Sequence, residues 1–118
     1  LACAVALRQL ELLDQWSVLD IVRARSDELR ALLDERVAPH PTVREVRLQG
    51  LMGGVELDPP ADGLRWGRRA CAGVVERGVL LRPLGDVVVL MPPLNVTSDE
   101  LHRIVDALEP ALDALVDR

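Results

Sequence analysis

The fold is decided by residues 43–57, which read VREVRLQGLMGGVEL. In the first half, Val46 and Leu48 alternate with charged or polar residues, which is the period of a strand with one buried face. A central glycine predicts a turn, and the returning half places Val55 and Leu57 on the inner face. The stretch therefore predicts a β-hairpin.

Upstream of the hairpin, residues 1–37 are predicted to be helical in two parts. The first part is rich in alanine and leucine, and Trp16-Ser17 interrupts it. Ser17 is a favourable N-cap for the second helix, with Asp20 in the capping-box position and Trp16 placed to pack on Ile21. The second helix should bury one apolar stripe: Val18, Ile21, Val22, Leu29, Leu32 and Leu33.

Downstream of the hairpin, a helix and two strands are predicted. The helix covers residues 61–77 and should end at Gly78, the usual position of a left-handed glycine. Residues 79–91 hold two strands, over 79–82 and 87–91, joined by Pro83-Leu84-Gly85-Asp86. The second of these strands is apolar on both faces, which is typical of a central strand.

The last helix is predicted over residues 98–117, after a capping box formed by Thr97 and Glu100. Its apolar side chains recur at helical spacing, and Pro110 should kink or divide it. Together the elements predict an α+β fold, in which a small, mostly antiparallel sheet of about four strands is covered by helices. Residues 1–118 are expected to form one domain.

Composition argues against several classes of partner. All fourteen basic residues are arginine, and against nineteen acidic residues they leave a net charge of -5, so we expect no nucleic acid partner. No apolar run approaches the ~20 residues needed to cross a bilayer, so we expect no membrane partner. The stretch Leu1–Leu7 has no positive segment before it, which argues against a signal peptide and suggests a helix cut open at the start of the chain.

Several residues that could form a site have simpler interpretations. Cys3 and Cys71 are expected to be reduced core residues of a cytosolic protein. Gly53-Gly54 could let a ligand approach the backbone, but a strand bulge or tight packing is favoured.

The remaining charged candidates also have plain interpretations. Arg65, Arg68 and Arg69 are expected to form a solvated basic face. His40 and His102 lack neighbours at metal-ligand spacing, so no metal site is predicted.

Three stretches resemble the class III aminotransferases. Residues 79–94, VLLRPLGDVVVLMPPL, resemble the C-terminal segment of that family. Residues 1–4, LACA, look like the end of its Gly-Asn-Pro-Leu-Ala-Cys-Ala motif, and residues 43–57 resemble its first small-domain hairpin. The likeness spans essentially the whole chain, so the chain is identified as the small C-terminal domain of a fold type I aminotransferase. The Arg-Pro-Leu-Gly and Leu-Met-Pro-Pro pair looks most like the members that make diaminopelargonic acid in biotin synthesis.

The resemblance implies that the chemistry lies outside this chain. In the family, a lysine of the large domain holds pyridoxal phosphate as a Schiff base. This chain has no lysine, so we expect no catalytic or cofactor-binding residue in it, and no activity or bound cofactor when it is alone. Pyridoxal phosphate is expected in the parent enzyme. The expected partners are the large domain, a small-molecule substrate and a second copy in a homodimer, in the cytoplasm.

One substrate-binding residue, Arg82, is implied by the same resemblance. It matches the arginine that, in the biotin-synthesis members, binds the carboxylate of 7-keto-8-aminopelargonate, which receives an amino group from S-adenosylmethionine. The planar guanidinium fork suits a carboxylate, and Asp86 is expected to orient it. From the residues alone, an ordinary solvent-exposed arginine at a strand end remains open.

Two alternative functions also remain open. The chain could belong to another class III enzyme that acts on ω-amino acids, or it could be a stand-alone α+β module that binds a small carboxylate. A third possibility is an interaction domain that pairs through its first helix. Because the large domain would cover apolar surface, we expect exposed apolar patches and self-association of the isolated chain.

Overall fold

The computed structural model describes residues 1–116, which form helices and a four-stranded sheet. The elements are, in chain order, α1 (Ala2–Gln15), α2 (Val18–Leu32), a π-helical turn (Leu33–Val37), β1 (Val43–Gln49), β2 (Met52–Leu57), α3 (Trp66–Val75), β3 (Arg82–Leu84), β4 (Val87–Leu90) and α4 (Ser98–Val116). The sheet order is β1-β2-β4-β3, and each neighbouring pair is antiparallel. The predicted α+β fold is confirmed. The last residue predicted for the final helix, at position 117, lies outside the described residues.

The hairpin of β1 and β2 forms as its pattern predicted. Gly50 has a φ of 59°, the left-handed conformation that glycine adopts without steric cost. Val55 and Leu57 are buried, whereas Val46 and Leu48 are partly buried against the same core. The inner face of this hairpin therefore supplies one wall of the core.

Gly53 and Gly54 serve tight packing. A Cβ added at Gly53 would lie 3.0 Å from the side chain of Leu48, and one at Gly54 would lie 3.1 Å from Val87. The register irregularity of the hairpin lies elsewhere, between Val43 and Glu45. Of the two favoured interpretations, packing is therefore correct and a bulge at these glycines is wrong.

The core lies between the inner face of the sheet and the helices α2, α3 and α4. β4 is an inner strand that pairs with β2 and β3, as its apolar run predicted. Its Val88 and Leu90 are fully buried. They contact a cluster whose largest buried helical residues are Leu29, Leu33, Leu101, Leu108 and Leu112. Burial of these apolar side chains is the main driving force that holds the helices on the sheet.

The predicted cap of α2 is wrong. Ser17 adopts a left-handed backbone conformation with φ 48° and ψ 43°, and its side chain makes no capping hydrogen bond. Ser17 acts through its backbone. Its N–H donates to the backbone carbonyl of Asp14 at 3.0 Å, and its carbonyl accepts from the backbone N–H of Asp20 at 3.0 Å. The Asp20 carboxylate pairs with Arg23 at 2.7 Å, so it is not a capping partner. Ile21, which was predicted to face inward, is exposed.

Helix α3 starts later than predicted, at Trp66 rather than at residue 61. Gly63 and Arg65 have φ of 82° and 50°, and left-handed residues cannot belong to a right-handed helix. Trp66, only 6% exposed, anchors the helix start in the core. Arg65 therefore precedes the helix instead of lying on its predicted basic face.

Strand β3 is displaced from its predicted position at residues 79–82. Val79 is still bonded to the end of α3, because its N–H donates to the carbonyl of Val74 at 3.3 Å. Pairing with β4 begins only at Arg82 and ends at Leu84, which leaves Gly85-Asp86 as a two-residue loop. Pro83 is tolerated inside β3 because an edge strand does not need every N–H for pairing.

Helix α4 begins at the predicted capping box. The Thr97 N–H donates to the Glu100 carboxylate at 2.8 Å, and the Glu100 N–H donates to the Thr97 hydroxyl at 3.3 Å. The helix runs through Pro110 without a break, so the predicted division there is wrong. The proline removes one helical hydrogen bond, but its neighbours Ala111 and Leu112 are buried and hold the helix on the core.

Helix α1 projects from the rest of the molecule. None of its side chains is buried, and the described chain measures 52 × 30 × 23 Å. Cys3 is exposed, so the prediction that both cysteines lie in the core is wrong for Cys3 and correct for Cys71. The sequence pattern of α1 does not indicate whether Cys3 is exposed, because an apolar helix buries its side chains only where a partner surface is present. In residues 1–116, we find no helix whose length and hydropathy would let it cross a bilayer.

Candidate functional site

The hairpin of β3 and β4 carries Arg82 at the edge of the sheet. Arg82 lies opposite Val89, and Val89 lies opposite Gly54 of β2. Residues that face each other across antiparallel strands point to the same side, and the alternate residues Val88 and Leu90 are buried. Arg82 therefore projects from the outer face of the sheet at its free edge, where it is exposed.

The position of this hairpin is fixed by the start of α3. The Gly67 N–H donates to the Asp86 carboxylate at 3.1 Å, so Asp86 satisfies one of the free donors at the helix start. A Cβ added at Gly67 would lie 2.4 Å from the carbonyl oxygen of Gly85. The hairpin loop can approach α3 this closely only because Gly67 has no side chain.

This contact replaces the role predicted for Asp86. Asp86 was expected to orient Arg82, but its hydrogen bond goes to α3, and the described part of the chain shows no bond between the two side chains. The sequence could not indicate this, since Gly67 and Asp86 are nineteen residues apart. Asp86 supports the strand that carries Arg82 without touching its guanidinium.

A cleft of about 700 Å³ opens beside Arg82. Beyond the Arg82–Val89 pair, residues 78–81 no longer pair with β4, so the two segments diverge. The cleft lies between them and the first turns of α4, and its lining is mostly apolar with three charged residues: Arg82, Glu100 and Arg103. Its size falls in the range of small-molecule sites, about 300–1,000 Å³.

Four of the described arginines that lack an acceptor line cavities beside the β3–β4 hairpin. Most described arginines bond to a carboxylate or a carbonyl: Arg8, Arg23, Arg25, Arg30, Arg36, Arg44, Arg47 and Arg77. Within residues 1–116, no such acceptor is found for Arg65, Arg68, Arg69, Arg82 and Arg103. Two of these line the cleft, and Arg65 and Arg68 line a smaller cavity of about 290 Å³ on the Asp86 side of the hairpin. Cations without partners beside cavities favour an anionic ligand, although the chain is acidic overall.

Glu100, the one carboxylate in the lining of the cleft, is already engaged. It accepts hydrogen bonds from the N–H and the hydroxyl of Thr97, at 2.8 and 3.0 Å. These bonds, the backbone one first, lower the pKa of Glu100 below its ordinary value. Glu100 therefore stays ionised as a helix cap, and within residues 1–116 it forms no ion pair with Arg82 or Arg103.

The cleft is suited to binding rather than to catalysis. In the described residues, neither cavity is lined by a lysine, histidine or cysteine that could act as a nucleophile or base. Cys71 lies in the core, where burial raises the pKa of its thiol and disfavours the reactive thiolate. What the arrangement can do is hold a carboxylate at Arg82 or Arg103.

His40 belongs to a structural link that sequence reasoning missed. Its Nδ1 accepts from the Thr42 N–H at 3.2 Å, and its Nε2 lies 3.0 Å from the Asp113 carboxylate. Nδ1 also lies 2.7 Å from the Thr42 hydroxyl. This acid–histidine–hydroxyl order resembles a nucleophilic triad, but Thr42 is 1% exposed and cannot reach a substrate. The link joins the loop before β1 to α4, whose Asp113 is distant in sequence.

Within residues 1–116, the other candidate residues form no metal site. His102 lies on α4, with its Nδ1 3.0 Å from the carbonyl of Ser98. Across residues 1–116, no three side chains of His, Cys, Asp or Glu come together as metal ligands would. Arg65 and Arg68 are exposed and Arg69 is partly exposed.

Comparison with known proteins identifies aminotransferases as relatives of this chain. The family model described as "Aminotransferase class-III" matches residues 1–112. The chain is 37% identical to the adenosylmethionine-8-amino-7-oxononanoate aminotransferase of Nitratidesulfovibrio vulgaris, over 99% of the chain and 23% of that protein. It is 36% identical to the acetylornithine aminotransferase of a Synechocystis species, over 98% of the chain and 27% of that protein. The chain thus spans about a quarter of the length of the curated relatives it matches.

The same likeness holds in three dimensions. A solved structure of a transaminase with L-alanine superposes with a TM-score of 0.90 and 33% identity, over 97% of this chain and 28% of that one. The superposed part includes the sheet and the helices described above. The resemblance on residues 1–4, 43–57 and 79–94 is therefore confirmed at the level of the family.

Proposed function

This chain belongs to the class III aminotransferase family, and we propose that it acts as the small C-terminal domain of an enzyme of biotin synthesis. That enzyme would transfer an amino group from S-adenosylmethionine to 7-keto-8-aminopelargonate. In this proposal, Arg82 binds the carboxylate of the keto substrate. The observation that carries it is the exposed Arg82 guanidinium beside the cleft, for which the described residues offer no acceptor. A carboxylate would form charge-assisted, bidentate hydrogen bonds with it.

The residues of this chain do not fit covalent attachment of the cofactor. The family implies pyridoxal phosphate in the parent enzyme, and that chemistry requires a lysine amine. The 118 residues contain fourteen arginines and no lysine, and an arginine cannot be deprotonated to serve as the amine. We therefore expect these residues alone to be inactive and to bind no cofactor.

Another class III activity is the second candidate. Its support is the acetylornithine aminotransferase above, whose identity to this chain is nearly that of the adenosylmethionine enzyme. A stand-alone module that binds a small carboxylate at Arg82 remains a third. The Arg-Pro-Leu-Gly segment at residues 82–85 and the Leu-Met-Pro-Pro segment at residues 90–93 favour the biotin-synthesis enzyme.

The proposal includes partners for the exposed apolar surface. We propose that the large domain and a second copy of the protein cover α1, whose Leu7 and Leu10 are each 63% exposed. Both cysteines are free thiols, which suits the reducing cytoplasm. In this proposal, the parent enzyme is a cytoplasmic homodimer.

A chimeric enzyme tests the role of Arg82. This chain would replace the matching quarter of the Nitratidesulfovibrio vulgaris relative, and kcat/KM would be measured with 7-keto-8-aminopelargonate and with an analogue that lacks the carboxylate. Because a hydrogen bond to a charged group contributes about 1.5–3 kcal/mol, Arg82→Ala should lower kcat/KM for the keto acid by at least about tenfold. It should leave the value for the analogue nearly unchanged.

Arg77→Ala is the matched control, because Arg77 is exposed, donates to the carbonyl of Gly73 at 2.7 Å and lies outside the cleft. Equal losses with both substrates would show that Arg82 acts on structure rather than on the carboxylate. Turnover of S-adenosylmethionine by the pure chain would contradict the proposal that it is inactive alone.

A further inference from the structure

The cleft beside Arg82 has a second arginine in its lining. Arg103 lies on α4, one helical turn after Glu100, and its guanidinium nitrogen lies 3.1 Å from the position that a Cβ on Gly78 would occupy. It therefore lies over the start of the segment 78–82, whose other end is Arg82. The two Cα positions at the ends of that segment can be at most about 14 Å apart.

Within residues 1–116, no acid near Arg103 forms an ion pair with it. Glu100 is held by Thr97, and Asp106, on the next turn, pairs with Arg36 at 2.8 Å. Asp99 lies one turn earlier, but within residues 1–116 it makes no ion pair with Arg103. An anion in the cleft could thus bind two guanidinium groups for which residues 1–116 show no carboxylate or carbonyl acceptor.

The rest of the lining of the cleft is mostly apolar. It includes aliphatic side chains from both diverging segments, from the loop before α4 and from α4 itself: Leu81, Val89, Met91, Val96 and Ile104. Methylene groups placed against them would be removed from water, at about 0.8 kcal/mol for each fully buried group. A ligand that fits both features has a charge at each end and an aliphatic chain between them.

We propose that this cleft binds a straight-chain aliphatic dicarboxylate, with one carboxylate on Arg82 and the other on Arg103. Such a ligand would occupy Arg82 and so compete with the carboxylate of the substrate in the proposed enzyme. The inference shares Arg82 with the proposed function, but the binding itself does not depend on aminotransferase activity. Arg103 becomes a second carboxylate-binding residue, on a helix that the motif at residues 79–94 does not reach.

Calorimetric titration of the pure chain tests the proposal with three probes. Suberate has two carboxylates on a medium-length chain, octanoate has the same length with one carboxylate, and succinate has two carboxylates on a short chain. We expect suberate to bind at least about tenfold more tightly than either, because the second charge-assisted contact is added to the apolar one. Arg103→Gln should reduce the affinity for suberate to that for octanoate and leave octanoate unchanged.

Two controls test whether the effect is specific to the arginines of the cleft and whether the Arg103 variant is folded. Arg77→Gln removes an exposed arginine outside the cleft and should leave all affinities unchanged. Since Arg103 is exposed, its variant should keep the wild-type circular dichroism, and backbone amide shifts at Leu81 and Gly78 on adding suberate should locate the ligand.

Each outcome decides the proposal. Equal affinities for suberate and octanoate, no binding of any probe, or an Arg103→Gln variant that binds suberate as well as wild type would overturn it. If octanoate binds and only Arg82→Gln abolishes this, Arg103 has no role and the proposed role of Arg82 stands. If suberate needs both arginines but the chimeric enzyme has no activity on the keto acid, the proposed function fails and this inference stands.

Discussion

At the scale of single residues, Gly67 determines the position of the β3–β4 hairpin, which carries the candidate site. Its backbone N–H bonds to Asp86, and its missing side chain admits the carbonyl of Gly85. The two contacts fix the loop of the hairpin whose first strand begins with Arg82. A glycine in the first turn of a helix would ordinarily be a weakness, since alanine is about 1 kcal/mol more favourable there.

Gly67→Ala should therefore destabilise the protein despite its gain in helix propensity. The added Cβ would meet the backbone oxygen of Gly85 at 2.4 Å, and a contact with backbone cannot be relieved by a rotamer change. We expect the free energy of unfolding to fall by about 2 kcal/mol, as in other overpacked sites. Urea denaturation followed by circular dichroism measures it.

Gly73→Ala is the control in the same helix. There the nearest atom to the new Cβ is the Cβ of Ala111 at 3.2 Å, so a shift of a few tenths of an ångström relieves the contact. Its loss of stability should be clearly smaller than that of Gly67→Ala. A Gly67→Ala protein more stable than wild type would show that the loop does not depend on this close approach.

At the scale of elements, charged side chains hinder the pairing of the edge strand β1 with other chains. Strand β1 is an edge strand, and such strands can pair with other chains. Its carbonyl at Leu48 accepts from Arg30 at 2.5 Å, and its register is irregular between Val43 and Glu45. On its outer face, Arg47 bonds to the carboxylate of Glu56 at 2.7 Å. These features leave the edge poorly suited to continuous pairing.

The capping box of α4 gives a pH-dependent contribution to stability. Its hydrogen bonds to Thr97 lower the pKa of Glu100 below the ordinary 4.5 in the folded state. The contribution is therefore fully present at any pH above the pKa that Glu100 has in the unfolded chain. It is lost as the pH falls through the lower pKa of Glu100 in the folded protein.

Glu100→Gln isolates this contribution. Glutamine keeps an acceptor for the Thr97 N–H but cannot be ionised. We expect wild type to be more stable than the variant at pH 7, and the difference to shrink at pH 3. Urea denaturation of both proteins at the two pH values measures it, and the lowered pKa of Glu56 cancels because both proteins contain it. A difference independent of pH would contradict the assignment.

At the scale of the whole molecule, α1 gives the chain an elongated shape. The radius of gyration is 16.2 Å, whereas a compact domain of this length has one of about 13.5 Å. The apolar side chains of α1 surround most of the helix, which is typical of a helix with partners on several sides. The expected exposed apolar patch is present, including Val5, Leu7, Leu10 and Trp16.

The isolated chain should self-associate through α1. Burial of apolar surface between two copies would be favourable, so sedimentation velocity should show a mass that rises with protein concentration. Leu7→Gln with Leu10→Gln should shift the chain towards monomer. A mass independent of concentration would contradict the prediction.

A control substitution and a stability measurement complete this test. Val75→Gln changes an exposed valine on α3 and should leave the association unchanged. Because no side chain of α1 is buried, the α1 substitutions should change the free energy of unfolding of the monomer by less than about 0.5 kcal/mol.

The sequence by itself determined the elements whose cause is local. The hairpin at residues 43–57 follows from alternation and a glycine turn, the position of β4 from its apolar run, and the start of α4 from Thr97 and Glu100. These features depend on residues within a few positions of one another, so their pattern can be recognised without the fold. The family resemblance likewise came from local motifs.

Only the tertiary structure decided the features that depend on distant partners. The backbone role of Ser17, the late start of α3 and the register of β3 depend on how the helices and strands meet. The pairing of Asp86 with Gly67 joins residues far apart in the chain, and the exposure of Cys3 depends on whether any surface covers α1. Arg82 could be singled out from the sequence, but its neighbour Arg103 could not. Which side chains are buried and which charges pair depends on contacts between elements. A short stretch of sequence does not specify those contacts.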